Sequence, residues 1–218
     1  MLNEAPSIAR TLGAIRAGAP DAEIVVVDGG SDDSSIDAAR AHCDSVIRTS
    51  RGRARQMNAG AVQASGDGLV FVHADTLVPA TFGRDIEGAL ADPEIVGGRF
   101  DVRLDDAHPL CVLIGFLISL RSRISRSGTG DQAIFVTRRI FDQIGGFPDM
   151  PICEDLEFSR QMKRAGPIAC LRSKVTTSAR RWRKGGIVRT ILRMWTIRAL
   201  YLAGVSPFRL ARMYANVR

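Results

Sequence analysis

Apolar residues along this chain recur in two rhythms, and the rhythms alternate. Ile8, Leu12 and Ile15 fall at helical spacing behind Pro6, and Gly18 and Pro20 close the segment. A short β-branched run over 23–28 follows and ends on Asp28, the pattern of a buried parallel strand. The turn Gly29-Gly30-Ser31-Asp32-Asp33-Ser34 feeds another helix. Residues 45–48 read as a strand, 53–64 as a helix, 69–73 as a buried strand running into Ala74-Asp75, and 81–91 as a helix. Strand and helix in turn, joined by short links, imply an α/β domain with a parallel sheet and right-handed crossovers.

The rhythm changes near Ile95. Residues 96–104 read as a longer strand, 109–120 as an apolar helix, 132–137 as a strand, and 138–144 as a short helix stopped by Gly145-Gly146. A helix over 154–164 is closed by Gly166-Pro167, and 168–171 reads as a strand. From about Gly186 the tail reads as two helices broken at Ser206-Pro207.

The length, 218 residues, suits one domain with a sizeable core. Hydrophobic residues at 45% and charged residues at 24% place the chain among globular proteins rather than disordered ones. A formal charge of +7 favours phosphate-bearing partners, whether nucleotide, nucleic acid or anionic membrane, and does not choose among them. Cys43, Cys111, Cys153 and Cys170 form no C-x-x-C pair and have no histidines at zinc spacing, so reduced thiols in a cytoplasmic protein are expected. No uncharged apolar run reaches about 18 residues, so no membrane span is expected.

Ligands of open parallel sheets bind beyond the carboxyl ends of the strands. Asp28 and Asp75 both stand at that edge. The first can accept hydrogen bonds from a base or ribose, and the second can hold a divalent cation against a diphosphate. Either one alone reads equally as a turn or cap residue; the pair at one edge favours function. Glu154 and Asp155 open a helix that is basic at its far end. They serve either the helix dipole or general-base chemistry. The loop Arg51-Gly52-Arg53 running towards Asn58 and Gly60 can meet phosphate oxygens, or merely face solvent. Arg180, Arg181 and Trp182 can cover a leaving diphosphate or stack on a sugar; a solvated loop is an equal alternative.

Taken in order, Leu2-Asn3-Glu4, Val26-Val27-Asp28-Gly29-Gly30-Ser31, Gly52-Arg53-Ala54, Asn58-Ala59-Gly60 and Ala64-Ser65-Gly66-Asp67 resemble the nucleotide-binding half of glycosyltransferase family 2. His73-Ala74-Asp75 stands where that family has its Asp-x-Asp metal motif, and Gly145-Gly146-Phe147 followed by Glu154-Asp155 resembles its acceptor half. Gly130-Asp131-Gln132-Ala133 and Ser178-Ala179-Arg180-Arg181-Trp182 are similar to a bacterial subgroup associated with radical-SAM and selenodomain proteins. The resemblance implies a GT-A (Rossmann-like) fold with a mixed, mainly parallel sheet flanked by helices, followed by C-terminal helices. It divides the single domain, 1–218, into a nucleotide-binding half (1–95), an acceptor half (96–185) and the helical tail (186–218).

The resemblance also implies an activity: inverting transfer of a sugar from a nucleoside-diphosphate sugar to an acceptor hydroxyl, with Mg²⁺ or Mn²⁺. Asp155, beside Glu154, would be the base. Glu4, Asp28, Ser31, Arg53, Asn58, Asp75, Arg181 and Trp182 would serve the nucleotide sugar. Asp75 would hold the metal, and Asp131 and Gln132 would line the acceptor region. His73 in place of the motif's first Asp removes one carboxylate, so metal binding without nucleotide is expected to be weak.

Family members carry a strand before Leu-Asn-Glu. The expectation is therefore that about eight upstream residues complete the sheet between the strands ending at Asp28 and His73. The apolar helices over 109–120 and 187–202, with Arg121, Arg123, Arg126, Arg189 and Arg193 nearby, pack on the sheet or on a second subunit. Alternatively they dock peripherally on the inner face of the membrane to reach a lipid-linked acceptor. The rival functions fit less well. A sugar-nucleotide-forming nucleotidyltransferase needs a glycine-rich loop that Asn3-Glu4-Ala5-Pro6 does not supply. A non-enzymatic nucleic-acid binder leaves the strand-end acids unexplained and has few aromatic residues for stacking bases. No specific nucleic-acid partner is expected.

Overall fold

The structure is a computed structural model, in which residues 1–214 are described. Residues 215–218 of the expected helical tail lie outside them. The elements in chain order are α1 (Ile8–Gly18), β1 (Val25–Asp28), α2 (Ser35–Arg40), β2 (Ser45–Arg48), α3 (Arg53–Gln63), β3 (Gly68–Phe71), β4 (Thr76–Leu77), α4 (Phe82–Leu90) and β5 (Gly97–Leu104). They continue with α5 (Pro109–Ser125), a 3-10 turn (Gly130–Gln132), β6 (Ile134–Thr137), α6 (Arg138–Ile144), α7 (Glu154–Ala165), β7 (Ile168–Thr177), α8 (Arg180–Gly185), α9 (Ile187–Leu202) and α10 (Pro207–Tyr214).

The strands fall into two sheets. β1 and β2 pair in parallel; the other five run in the order β3-β6-β5-β7-β4. β5 and β7 are parallel, while β3–β6, β5–β6 and β4–β7 are antiparallel. The sheet is mixed, as expected, but it is not mainly parallel. β4 follows a turn rather than a crossover helix, and β6 enters from the 3-10 turn against both neighbours. β1 and β3, the strands expected to lack a neighbour, do not pair with each other. Beside β1, the carbonyl of Met1 accepts from the Gly29 amide (2.9 Å) and from Gln56 Nε2 (2.9 Å), and the Met1 amine donates to the Val27 carbonyl (2.5 Å).

Two elements run further than the apolar pattern indicates. α5 continues to Ser125 because Arg121 and Arg123 are good helix formers, and no glycine or proline intervenes before the left-handed Arg126. β7 continues to Thr177 through Arg172, Ser173 and Lys174, whose polarity hides a strand that pairs with β5 along its length. A register shift at Phe100/Asp101 accommodates two extra β7 residues.

Alternation along β6 divides the core. Ile134 and Val136 join α3, α6 and α7 through Ala54, Ala61, Ile140, Phe158 and Met162, whereas Phe135 faces Phe82, Phe100, Val102 and Val175. Phe147 stacks on Phe158 with ring centroids 3.9 Å apart, and Phe71 meets Phe147 edge-on at 4.8 Å. These rings hold the Gly145-Gly146-Phe147 turn against α7. α5 is pinned over the β5–β7 seam by a buried ionic group. Asp101 accepts from Arg99 and from Arg123 (2.5 Å), and Arg123 also donates to the carbonyls of Cys170 (3.2 Å) and Leu171 (3.3 Å).

The middle of the sheet leaves no room for side chains on β5 at Gly97 and Gly98. A Cβ on Gly98 would lie 2.4 Å from the Phe135 ring and 2.6 Å from the Ala169 carbonyl oxygen. Gly98→Ala should therefore lower the unfolding free energy by about 1–3 kcal/mol, read as a lower urea midpoint at unchanged slope. An unchanged midpoint would show that the seam can open.

Candidate active site

Three segments meet to build the site. The first is the loop after β1. Asp28 is fully buried, and its carboxylate accepts from the Gly30 amide (3.0 Å), the Ser31 amide (3.0 Å) and the Ser31 hydroxyl (2.5 Å). Burial alone would raise its pKa; the hydroxyl and amide of Ser31 and the amide of Gly30 outweigh it and hold the carboxyl below its ordinary value. Asp28 thus shapes the loop, with Gly30 at φ +90°, and its oxygens are turned to that loop, whereas the sequence predicts a nucleoside contact. Ser31 passes the order on: its hydroxyl accepts from the Asn3 amide (3.0 Å), and Asn3 Oδ1 accepts from the Asp32 amide (3.0 Å). The Glu4 amide donates to Ser35 Oγ (2.7 Å), so the loop fixes the segment bearing Glu4.

The second segment is the turn between β3 and β4, with α8 beside it. The Thr76 amide closes the turn on the His73 carbonyl (3.0 Å). Arg180 bridges two acids, donating to Glu4 Oε1 (2.8 Å) and lying 3.7 Å from Asp75 Oδ2. Burial, together with the charge of Glu4, pushes the Asp75 carboxyl above its usual range against the pull of Arg180. His73 is driven down to about 3 by burial and by the guanidinium groups of Arg53 and Arg181, so its ring is neutral at any working pH.

The third segment is the turn 127–132 against the start of α7. Gly130 has no Cβ because one would sit 2.5 Å from His73 Nε2. With the ring seated there, the Gly130 amide donates to Asp155 Oδ2 (2.8 Å), and the Leu156 amide donates to Oδ1 (2.7 Å). Burial raises the Asp155 carboxyl; these amides and Arg53 oppose it, and Asp131 adds to the rise. Its neighbour Glu154 is buried, with Arg53 Nη1 3.8 Å away, and is placed as a counter-charge to Arg53.

The site is thus continuous: Glu4 to Arg180 to Asp75 on one side, and His73 to Gly130 to Asp155 on the other. Glu4, Arg53, Asp75, Asp131, Asp155 and Arg181, all anticipated from the sequence, gather here. Asn58, Gln132 and Trp182 do not take the ligand-facing positions anticipated for them. The Asn58 amide donates to the Phe147 carbonyl (2.8 Å) and accepts from the Phe147 amide (2.9 Å), locking the Gly145–Phe147 turn. Gln132 is buried: its Nε2 donates to the Phe100 carbonyl (3.1 Å) and Ser122 Oγ (2.9 Å), and its Oε1 accepts from the Thr129 amide (3.2 Å). Trp182 packs on the apolar cluster of Leu104, Cys111, Ile114 and Ala179, on the inner side of α8.

No group of three or more His, Cys, Asp or Glu side chains able to hold a metal occurs among the described residues. Asp75 offers one hard carboxylate with Glu4 in its field. A divalent cation at Asp75, beside Arg180 at 3.7 Å, would need most of its ligands from outside the protein.

The mixed α/β sheet flanked by helices has the architecture of solved GT-A glycosyltransferases. The model of "Glycosyl transferase family 2" matches residues 1–138, more than half of the chain, and the chain belongs to that family. A search of curated proteins gave no match. Among solved structures, the mannosyltransferase PcManGT from Pyrobaculum calidifontis in complex with GDP-Man and Mn²⁺ is similar, with TM-score 0.67 and 22% identity over 98% of this chain and 62% of that one. S. aureus TarS 1-349 in complex with UDP-GlcNAc gives TM-score 0.61 and 16% identity over 82% of this chain and 56% of that one. GalNAc-T7 with UDP, GalNAc and Mn²⁺ gives 0.59 and 15% over 79% and 41%. The chain spans less than two thirds of the length of each of these structures.

If Asn58 is a lock rather than a ligand contact, Asn58→Ala should cost about 1–3 kcal/mol of stability in chemical denaturation. Nucleotide affinity of the folded fraction should stay within a few-fold. A large loss of affinity at unchanged stability would restore the ligand role.

Proposed function

We propose that this chain is a nucleotide-sugar-dependent glycosyltransferase that transfers its sugar with inversion, using Asp155 as the base. The observation that carries this reading is the placement of Asp155. It is a half-buried carboxylate held by two backbone amides, one from the Gly130 turn that also seats His73, two residues along the chain from the Asp75 of the Glu4–Arg180–Asp75 group.

In this reading the donor lies along the edge formed by Glu4 and the Asp28–Ser31 loop, with its diphosphate towards Arg180 and Arg181. Asp155 takes the proton of an acceptor hydroxyl. The oxygen then bonds to the anomeric carbon from the face opposite the diphosphate, and the bond from that carbon to the diphosphate oxygen breaks. The guanidinium groups of α8 stabilise the charge that develops on the leaving group. Mg²⁺ or Mn²⁺ on Asp75 would add charge neutralisation at the same oxygens. Mn²⁺ accompanies the nucleotide ligands of the PcManGT and GalNAc-T7 structures, which supports this assignment. The neutral imidazole of His73 adds no charge beside Asp155, so the carboxylate remains the proton acceptor there.

Two measurements test the base. Asp155→Asn keeps the shape and removes the proton acceptor; turnover should fall at least 100-fold while thermal stabilisation by a nucleotide sugar persists. Turnover within a few-fold of wild type in a folded variant would assign the proton elsewhere. The raised Asp155 pKa also sets a sign. The active form is the ionised one, so activity should be lost as pH falls through a value above the ordinary aspartate range of about 4. An acid limb at or below that range would contradict the assignment.

A second element of the reading concerns where the enzyme works. No helix among the described residues is long and apolar enough to cross a membrane. Leu113, Phe116 and Leu117 on α5 and Leu192 and Trp195 on α9 are nevertheless exposed, and the two helices are joined underneath by Cys111, Ile118, Ile187 and Ile191. Arg126, at the C-terminal cap of α5, and Arg189, in the first turn of α9, are exposed too. Exposed apolar residues and exposed arginines on the same two helices suit an anionic membrane surface, and we place the protein there peripherally. Flotation with phosphatidylglycerol vesicles at low salt should carry the protein upward. Failure to co-migrate would leave self-association as the use of the face.

A further inference from the structure

We propose that Arg121 and Arg198 form a seat for a compact anionic group, a phosphate, on the acceptor, directly beside the base. The proposal rests on the glycosyltransferase reading and names the acceptor's chemical class.

Four consecutive residues carry the geometry. The Gly130 amide holds Asp155 Oδ2 (2.8 Å). One residue earlier, Thr129 Oγ1 receives Arg121 Nη2 at 3.5 Å; two residues before that, Ser127 Oγ receives Arg198 Nη2 at 3.4 Å. Arg121 comes from α5 and Arg198 from α9, so two separate helices aim guanidinium groups at one turn. Both hydrogen bonds are at the long limit and end on neutral hydroxyls. Among the described residues neither arginine has a carboxylate within 4 Å, although ten other close acid–base contacts occur in the structure. Arg121 Nε is buried and makes no hydrogen bond among those residues.

A guanidinium taken out of water without an anion is unfavourable, and two of them at one turn add mutual repulsion. Burial lowers the pKa of both arginines, and Arg198 adds to the effect on Arg121. Asp131 and Asp155 act on Arg121, and Asp155 and Cys153 on Arg198, only through space. Asp155 must stay able to accept a proton, so it cannot be consumed as their counter-ion. A ligand phosphate resolves the imbalance: pairs of its tetrahedral oxygens accept the parallel donors of a planar guanidinium, and it would bring an attached hydroxyl towards Asp155. The donor diphosphate is served separately by Arg180 and Arg181 on the Glu4–Asp75 side. The outward faces of α5 and α9 are the apolar ones, so a lipid headgroup and a free phosphate ester are both chemically suited sources.

The test titrates the full chain with inorganic phosphate and with glycerol 1-phosphate by calorimetry. Glycerol serves as the uncharged control, and saturating UDP or GDP is present to fill the donor side. Both phosphates should bind and glycerol should not. Arg121→Gln and Arg198→Gln should each weaken phosphate binding at least tenfold while nucleotide affinity stays within twofold. Arg198 is the more exposed position, so Arg198→Gln decides the matter if Arg121→Gln does not fold. Phosphatidylglycerol vesicles that displace glycerol 1-phosphate would identify a lipid headgroup, and failure to displace it a soluble ester; either outcome supports the seat. Three results overturn it: no phosphate binding by the nucleotide-loaded wild type, unchanged binding in the glutamine variants, or an equal loss of nucleotide affinity, which would assign both arginines to the donor. If no nucleotide binds at all, the glycosyltransferase reading fails, while the phosphate titration of the chain alone still decides the seat.

Discussion

The hydrogen bond from the Gly130 amide to Asp155 is the contact on which the site depends, because it joins three elements that are far apart in sequence. Ser159 Oγ strengthens the joint one helical turn along α7, accepting from the Gly128 amide (3.1 Å) and donating to the Gly128 carbonyl (3.0 Å). Gln132 anchors the other end of the turn to β5 and α5. Gly130 in turn leaves room for His73, so the end of β3 is placed against the same backbone. The turn therefore sets the distance between the Glu4–Asp75 acids and Asp155. A side chain at position 130 would displace His73 and Asp155 together.

Burial acts on both Asp28 and Asp155, yet their carboxyls shift in opposite directions. The difference lies in the donors. Asp28 receives the Ser31 hydroxyl and two amides from its own loop, enough to overcome desolvation. Asp155 receives two amides and has Asp131 in its field, which leaves desolvation dominant. A carboxylate saturated by its own loop is a structural part; one held under-saturated beside an open turn is able to take a proton.

The acids at Asp28, Asp75 and Asp155 are legible in the sequence because strand ends and helix starts can be located from periodicity alone. What their oxygens touch is not. Asn58 and Gln132 sit in motif strings that look the same whether an amide meets a ligand or a backbone; here each is bound to backbone on both of its ends. Trp182 beside two arginines reads as a stacking residue, but an indole is large enough that packing it on Leu104 and Ile114 is the stronger use. Strand direction was hidden for a topological reason: alternation of strand and helix does not register a turn such as 72–75, which delivers β4 to the opposite edge of the sheet from β3. Arg121, just beyond the apolar run of α5, and Arg198, one of three arginines on α9, read in the sequence as ordinary helix charges. Only the packing of α5 and α9 over the 127–130 turn brings their guanidinium groups to one place.

The most direct measurement is a crystal structure of the chain with an intact nucleoside-diphosphate sugar. The nucleotide should lie along Glu4 and the Asp28–Ser31 loop, with the diphosphate between Asp75 and the Arg180–Arg181 pair. The face of the anomeric carbon opposite the diphosphate should look towards Asp155. A nucleotide bound elsewhere, or a sugar whose open face points away from Asp155, would contradict the account.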